Sequence, residues 1–189
     1  MLKSQKNSNS FTIIELIISI TIMFILGGIF LLNYNTQKDK VDLANSLSIV
    51  SQEVRKAQSF AISQTALPPE CGTGQRRDVF GVYFEKGKNY VSLYVDKDGN
   101  GIPNIVGDCN CESTNECIER KYFSPSIQIN NITPGYNDTT GWIGFSREDL
   151  SVQINDGDLQ LQLDFCPKSN CSANTKSILM SNKGMVDVQ

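Results

Sequence analysis

Histidine is absent from this protein. No imidazole can take a proton from a serine or cysteine nucleophile, so Ser-His-Asp and Cys-His catalysis are excluded. A basic surplus is lacking too. Beyond residue 32 there are 15 basic residues against 19 acidic ones, which gives no electrostatic case for nucleic acid. Cysteine is absent before Cys71, and proline is absent from residues 11–66. No CxxC pair and no internal repeat occurs. Carboxylate pairs such as Asp156 and Asp158 fall in apparent turns, where solvation explains them. Trp142 and the tyrosines read as core or sheet residues. An enzyme is not expected.

Charge is scarce where it matters most. Residues 11–32, FTIIELIISITIMFILGGIFLL, hold a single charge, Glu15. At about 1.5 Å per residue this run covers about 33 Å as a helix, enough for a bilayer core of ~30 Å. A carboxylate in such a run costs several kcal/mol unless it is paired or has a task. The leader MLKSQKNSNS (residues 1–10) carries Lys3 and Lys6 and no acid. The positive-inside rule therefore leaves it in the cytoplasm and puts everything after the run outside. The run is too long for a secretory signal and no A-x-A pattern follows it, so the segment is expected to stay as a single-pass anchor in the cytoplasmic membrane.

Leu43, Leu47, Val50, Val54, Ala57 and Ala61 recur at spacings of four and three. They form one apolar stripe on an amphipathic continuation of the helix, residues 33–66. One helix from Phe11 to Gln64 is expected, ended by Pro68 and Pro69. Residues 67–189 read as an exported β-rich domain. Its strands are 78–85, 89–96, 126–132, 141–146, 151–155, 159–165, 176–181 and 184–189. Hairpin turns are expected at Lys86-Gly87-Lys88, at Asn155-Asp156-Gly157-Asp158 and at Asn182-Lys183-Gly184. Residues 97–120 lack periodicity and read as a cysteine-rich loop insertion. The fold class is α+β, a long N-terminal helix whose outer half packs on an antiparallel sheet.

All six cysteines lie beyond the membrane run. An even number in an exported protein points to disulfides rather than zinc, and no histidine is there to help bind a metal. Cys166 and Cys171 close a short loop and are expected to pair. Cys71 is expected to join one of Cys109, Cys111 and Cys117, the other two pairing locally. Asp96-Lys97-Asp98-Gly99-Asn100-Gly101 starts as a calcium loop does. Its twelfth position is Gly107 rather than glutamate, with Asp108 one step late. A polar turn is the favoured reading. A calcium ion, if one binds, would take Asp96, Asp98 and Asn100, with Asp108 as a further ligand. No other cofactor is expected.

Phe11-Thr12-Ile13-Ile14-Glu15-Leu16, behind a basic leader and ahead of the apolar run, resembles the type IV pilin and type II secretion pseudopilin family. The resemblance implies cleavage between Ser10 and Phe11 by a prepilin peptidase that methylates the new amine. It also implies that Glu15 pairs with the N-terminal amine of a neighbouring Phe11 during assembly. The family usually has Gly before the Phe, where this sequence has Ser10, and major pilins carry a proline inside the membrane helix that is absent here. Residues 41–100 and 140–189 are similar, less specifically, to minor pseudopilins and minor pilins in their order of long helix, first hairpin ending in a D-x-D-G turn, and last hairpin with Asn-Lys-Gly.

The expected function is therefore structural. The protein would be a subunit, expected to be minor, of a type IV pilus or type II secretion pseudopilus. Its partners would be other pilin or pseudopilin subunits, the prepilin peptidase, the inner-membrane assembly platform and, before assembly, membrane lipid. Two alternatives stand beside it. One is a bitopic anchored domain for binding or adhesion, and the other is a minor pilin for DNA uptake using Arg76, Arg77, Lys86 and Lys88.

Overall fold

The computed structural model describes residues 12–63 and 79–188, apart from 106, 108, 110–114, 136, 138, 149–150, 156 and 173. The helix α1 runs Ile13–Ser63. Phe11, Gln64 and the proline pair expected to end the helix lie outside the described residues. The protein divides into two compact units, one reaching to Lys38 and one spanning Asp39–Gln189.

In the first unit the stretch Ile13–Leu31 has a mean hydropathy of 2.5 and buries none of its residues within the unit. It is long and apolar enough to cross a membrane. The helix passes through Gly27-Gly28 unbroken.

The second unit begins inside the predicted amphipathic segment, so residues 39–63 belong with the β domain. Every residue of the predicted stripe is buried there, from Leu43 at 5% exposure to Val50 and Ala57 at 0%. The stripe turns to the sheets because burying it recovers roughly 1.5–3 kcal/mol for each larger side chain. The strands are β1 (Val79–Glu85), β2 (Tyr90–Asp96), β3 (Cys117–Tyr122), β4 (Ile127–Thr133), β5 (Thr140–Ser146), β6 (Val152–Ile154), β7 (Gln160–Pro167), β8 (Lys176–Ser181) and β9 (Val186–Val188). They form two antiparallel sheets, ordered β3-β2-β1-β5-β6 and β4-β7-β8-β9. Phe80, Val82, Phe84, Ile143 and Phe145 of the first sheet join Ile129, Leu161, Leu163, Ile178 and Met180 of the second and the helix stripe in one core.

Three expectations are corrected. The single sheet is two. The insertion expected at 97–120 ends in strand β3, whose Cys117, Ile118 and Tyr122 sit among charged residues. The turn at 155–158 is tight, with the Gly157 and Asp158 N–H groups both donating to the Ile154 carbonyl at 3.0 Å. It closes no hairpin, however, because β6 and β7 belong to different sheets. The other two hairpins form, with Gly87 and Gly184 taking the left-handed φ values of 81° and 75° that their turns need.

Strand alternation sends residues 81, 94 and 144 to the face of the five-stranded sheet away from the core. They form one cross-strand row, Tyr94 opposite Gly81 and Gly81 opposite Gly144. A Cβ on Gly81 would come within 2.5 Å of Tyr94 Cε1 and Cζ, and one on Gly144 within 3.0 Å of its hydroxyl. The Tyr94 ring therefore lies across both glycines, 1% exposed. Its buried hydroxyl has no hydrogen-bond partner among the described residues.

Candidate functional site

Two places carry the residues that the sequence singles out, one in each unit. The first is the start of α1. The Glu15 N–H donates to Thr12 Oγ1 at 3.4 Å, and the Leu16 N–H donates to the Thr12 carbonyl at 3.2 Å. Thr12 is thus the N-cap, and Glu15 is an exposed acid in the first turn. A carboxylate there is favoured by the unpaired N–H groups of the helix end. Thr12 and Glu15 stand at the Thr-x-x-Glu spacing of a capping box, of which the Thr12 half is formed. Ser10 and Phe11 lie outside the described residues. Further along the helix, Ile20, Met23, Phe24, Gly27, Gly28 and Leu31 line a shallow apolar notch of about 490 Å³.

The second place is the loop after β2. Asp96, Asp98 and Glu116 come together there, all three offering oxygens within 4.8 Å of one another. Sequence reading missed Glu116, which stands 20 residues after Asp96 and is brought in by the pairing of Tyr94 with Cys117. Asp96 accepts from the Gly99 N–H at 2.7 Å and the Gly101 N–H at 2.8 Å. Glu116 accepts from the Lys97 and Asn104 N–H groups, each at 2.7 Å. Asp98 accepts from the Asn100 N–H at 3.0 Å and from the carboxamide groups of Asn100 and Asn104. The Asn100 carboxamide oxygen is turned to the Ile102 N–H at 2.7 Å. Asp108 lies outside the described residues.

Burial pushes both Asp96 and Glu116 above the usual carboxylate range. The backbone N–H donors pull each of them partly back, and the neighbouring acids push them up further. All-oxygen donors of this kind suit calcium or magnesium rather than zinc. The oxygens of Asp96 and Glu116 already organise the loop backbone with one N–H each, and Asp98 Oδ2 accepts from two carboxamides. Loop scaffolding accounts for the cluster without an ion.

Two disulfides join described residues, Cys109–Cys117 and Cys166–Cys171. The second is the expected pair, and the first ties the loop to β3. Cys71 and Cys111 lie outside the described residues. Two further concavities lie among the described residues of this unit. One, of about 550 Å³, runs along Leu43, Ala44 and Leu47 of α1 beside Lys176 and Val188. The other, of about 510 Å³, is polar and lies between Gly99–Ile102 and strand β6. Set against protein-family models, curated proteins and solved structures, the sequence and fold match none of them.

Proposed function

We propose that this protein is a structural subunit, minor rather than major, of a type IV pilus or type II secretion pseudopilus, and not an enzyme. The observation that carries the reading is Phe11-Thr12-Ile13-Ile14-Glu15-Leu16 at the head of a helix that is apolar over Ile13–Leu31. In this reading a prepilin peptidase cuts between Ser10 and Phe11. The subunit is held in the cytoplasmic membrane with its β domain outside until it enters a filament.

An ammonium and a carboxylate each cost several kcal/mol in an apolar setting, and pairing recovers much of that. A Glu15 carboxylate facing a neighbour's Phe11 amine would therefore set the stagger between subunits as well as attract them. The apolar helix serves as membrane anchor before assembly and as filament core after it.

Glu15→Ala, produced in a strain with a working assembly machine, is expected to abolish incorporation into filaments while leaving the protein in the membrane. Wild-type incorporation of that variant would sink the proposal. A second reading, an anchored binding domain, draws on the place of Glu15 in the first turn of α1, where the helix end favours an acid without a partner subunit. Mass spectrometry of the N-terminus separates the two, because an N-methyl-Phe11 terminus belongs to the first and an intact leader to the second.

A further inference from the structure

The loop after β2 contains two of the chemically weakest dipeptides in proteins, Asp98-Gly99 and Asn100-Gly101. Glycine leaves its own amide nitrogen unhindered. That nitrogen can attack the Cγ carbon of the preceding residue once it is free to lose its proton. In this structure one carboxylate holds both of those amides. Asp96 Oδ1 accepts the Gly99 N–H at 2.7 Å and Oδ2 accepts the Gly101 N–H at 2.8 Å, and Asp96 is 2% exposed. The Asn100 carboxamide is tied at both ends, its oxygen to the Ile102 N–H and its Nδ2 to Asp98 Oδ2 at 2.9 Å. A negative oxygen against an N–H also disfavours the amide anion that the attack requires.

We propose that Asn100 is a latent deamidation site that Asp96 holds closed. When the loop opens, the Gly101 nitrogen gives up its proton and bonds to Asn100 Cγ. The bond from Cγ to Nδ2 breaks and ammonia leaves with that proton. Water then opens the succinimide ring to aspartate or isoaspartate. At Asp98 the same attack by the Gly99 nitrogen expels water, and hydrolysis of the ring ends in isoaspartate or restores aspartate. Asn100 is exposed, so solvent reaches the ring once it forms. Deamidation would add a fourth carboxylate to the cluster of Asp96, Asp98 and Glu116.

The test is peptide mapping with mass spectrometry of the full-length protein in detergent, incubated at neutral pH, natively and in urea. Each hydrogen bond that must break slows the native reaction, and together they predict a native rate at Asn100 at least ~tenfold below the rate in urea. Asp96→Ala that keeps a cooperative thermal transition is expected to move the native rate toward the urea rate. Equal native and urea rates in the wild type overturn the proposal, as does a folded Asp96→Ala that reacts no faster than wild type. Should Asp96→Ala not fold, the native-against-urea comparison decides alone.

Discussion

Gly81→Ala is the sharpest test of the packing on the outer face of the five-stranded sheet. The added methyl would meet Tyr94 Cε1 and Cζ at 2.5 Å on one side and the backbone carbonyl of Ile143 on the other. A flexible side chain could swing away, but a carbonyl in the ladder to β5 cannot move without breaking the strand register. Overpacking usually costs about 1–3 kcal/mol. With a backbone obstacle added we expect about 3 kcal/mol, and a melting temperature lower by roughly 6–12 °C for a unit of this size. Circular dichroism melts of the full-length protein in detergent read this directly. Tyr94→Phe is the companion variant. It keeps the ring over the glycines and removes a buried hydroxyl that has no partner among the described residues, so it is expected to gain about 1 kcal/mol. Pairing Gly81→Ala with Tyr94→Ala, which removes the ring, apportions the clash between the ring and the carbonyl. A Gly81→Ala protein that melts with wild type, or a Tyr94→Phe protein that loses stability, would refute this account of the row.

Three more outcomes follow from the geometry. Burial, then the hydrogen bond to Glu85 at 2.7 Å, pushes the Tyr90 phenol up to about 12. A raised pKa makes its contribution to stability fully present below its unfolded value of about 10 and lost as pH rises through about 12. Ultraviolet titration should show its phenolate forming late, and Tyr90→Phe should reduce the alkaline loss of melting temperature. Glu116→Ala strands the Lys97 and Asn104 N–H groups and is expected to cost about 2 kcal/mol or more in chemical denaturation. Replacing Cys166 and Cys171 together by alanine opens a short loop and should cost about 2 kcal/mol in the same assay.

The parts of the fold that were legible in the sequence are those governed by local periodicity. The stripe from Leu43 to Ala61 repeats with the helical turn, so its buried face could be named residue by residue. Strands β1, β2 and β7 announce themselves by apolar side chains next to turn residues. Strand β3 does not, because an edge strand buries little and Ile118 is the one aliphatic residue among its charges. Glu116 was hidden for a different reason. Its place beside Asp96 depends on cross-strand register, which no spacing along the sequence encodes. The turn at 155–158 shows the same limit, since turn residues fix a local bend but do not say which sheet the next strand will join.

The way the two sheets divide the strands has a kinetic consequence. Strand β4 lies in sequence between members of the five-stranded sheet, yet its partner is β7, so Ile127–Thr133 must wait for Gln160–Pro167. Strand β1 likewise waits for β5. Neither sheet can close early in synthesis, and pairings so far apart make folding slow. Until Gln160–Pro167 arrives, β4 offers an unpaired edge to any other strand. The exposure of that edge, and not the finished fold, is the period in which this protein is most open to wrong association.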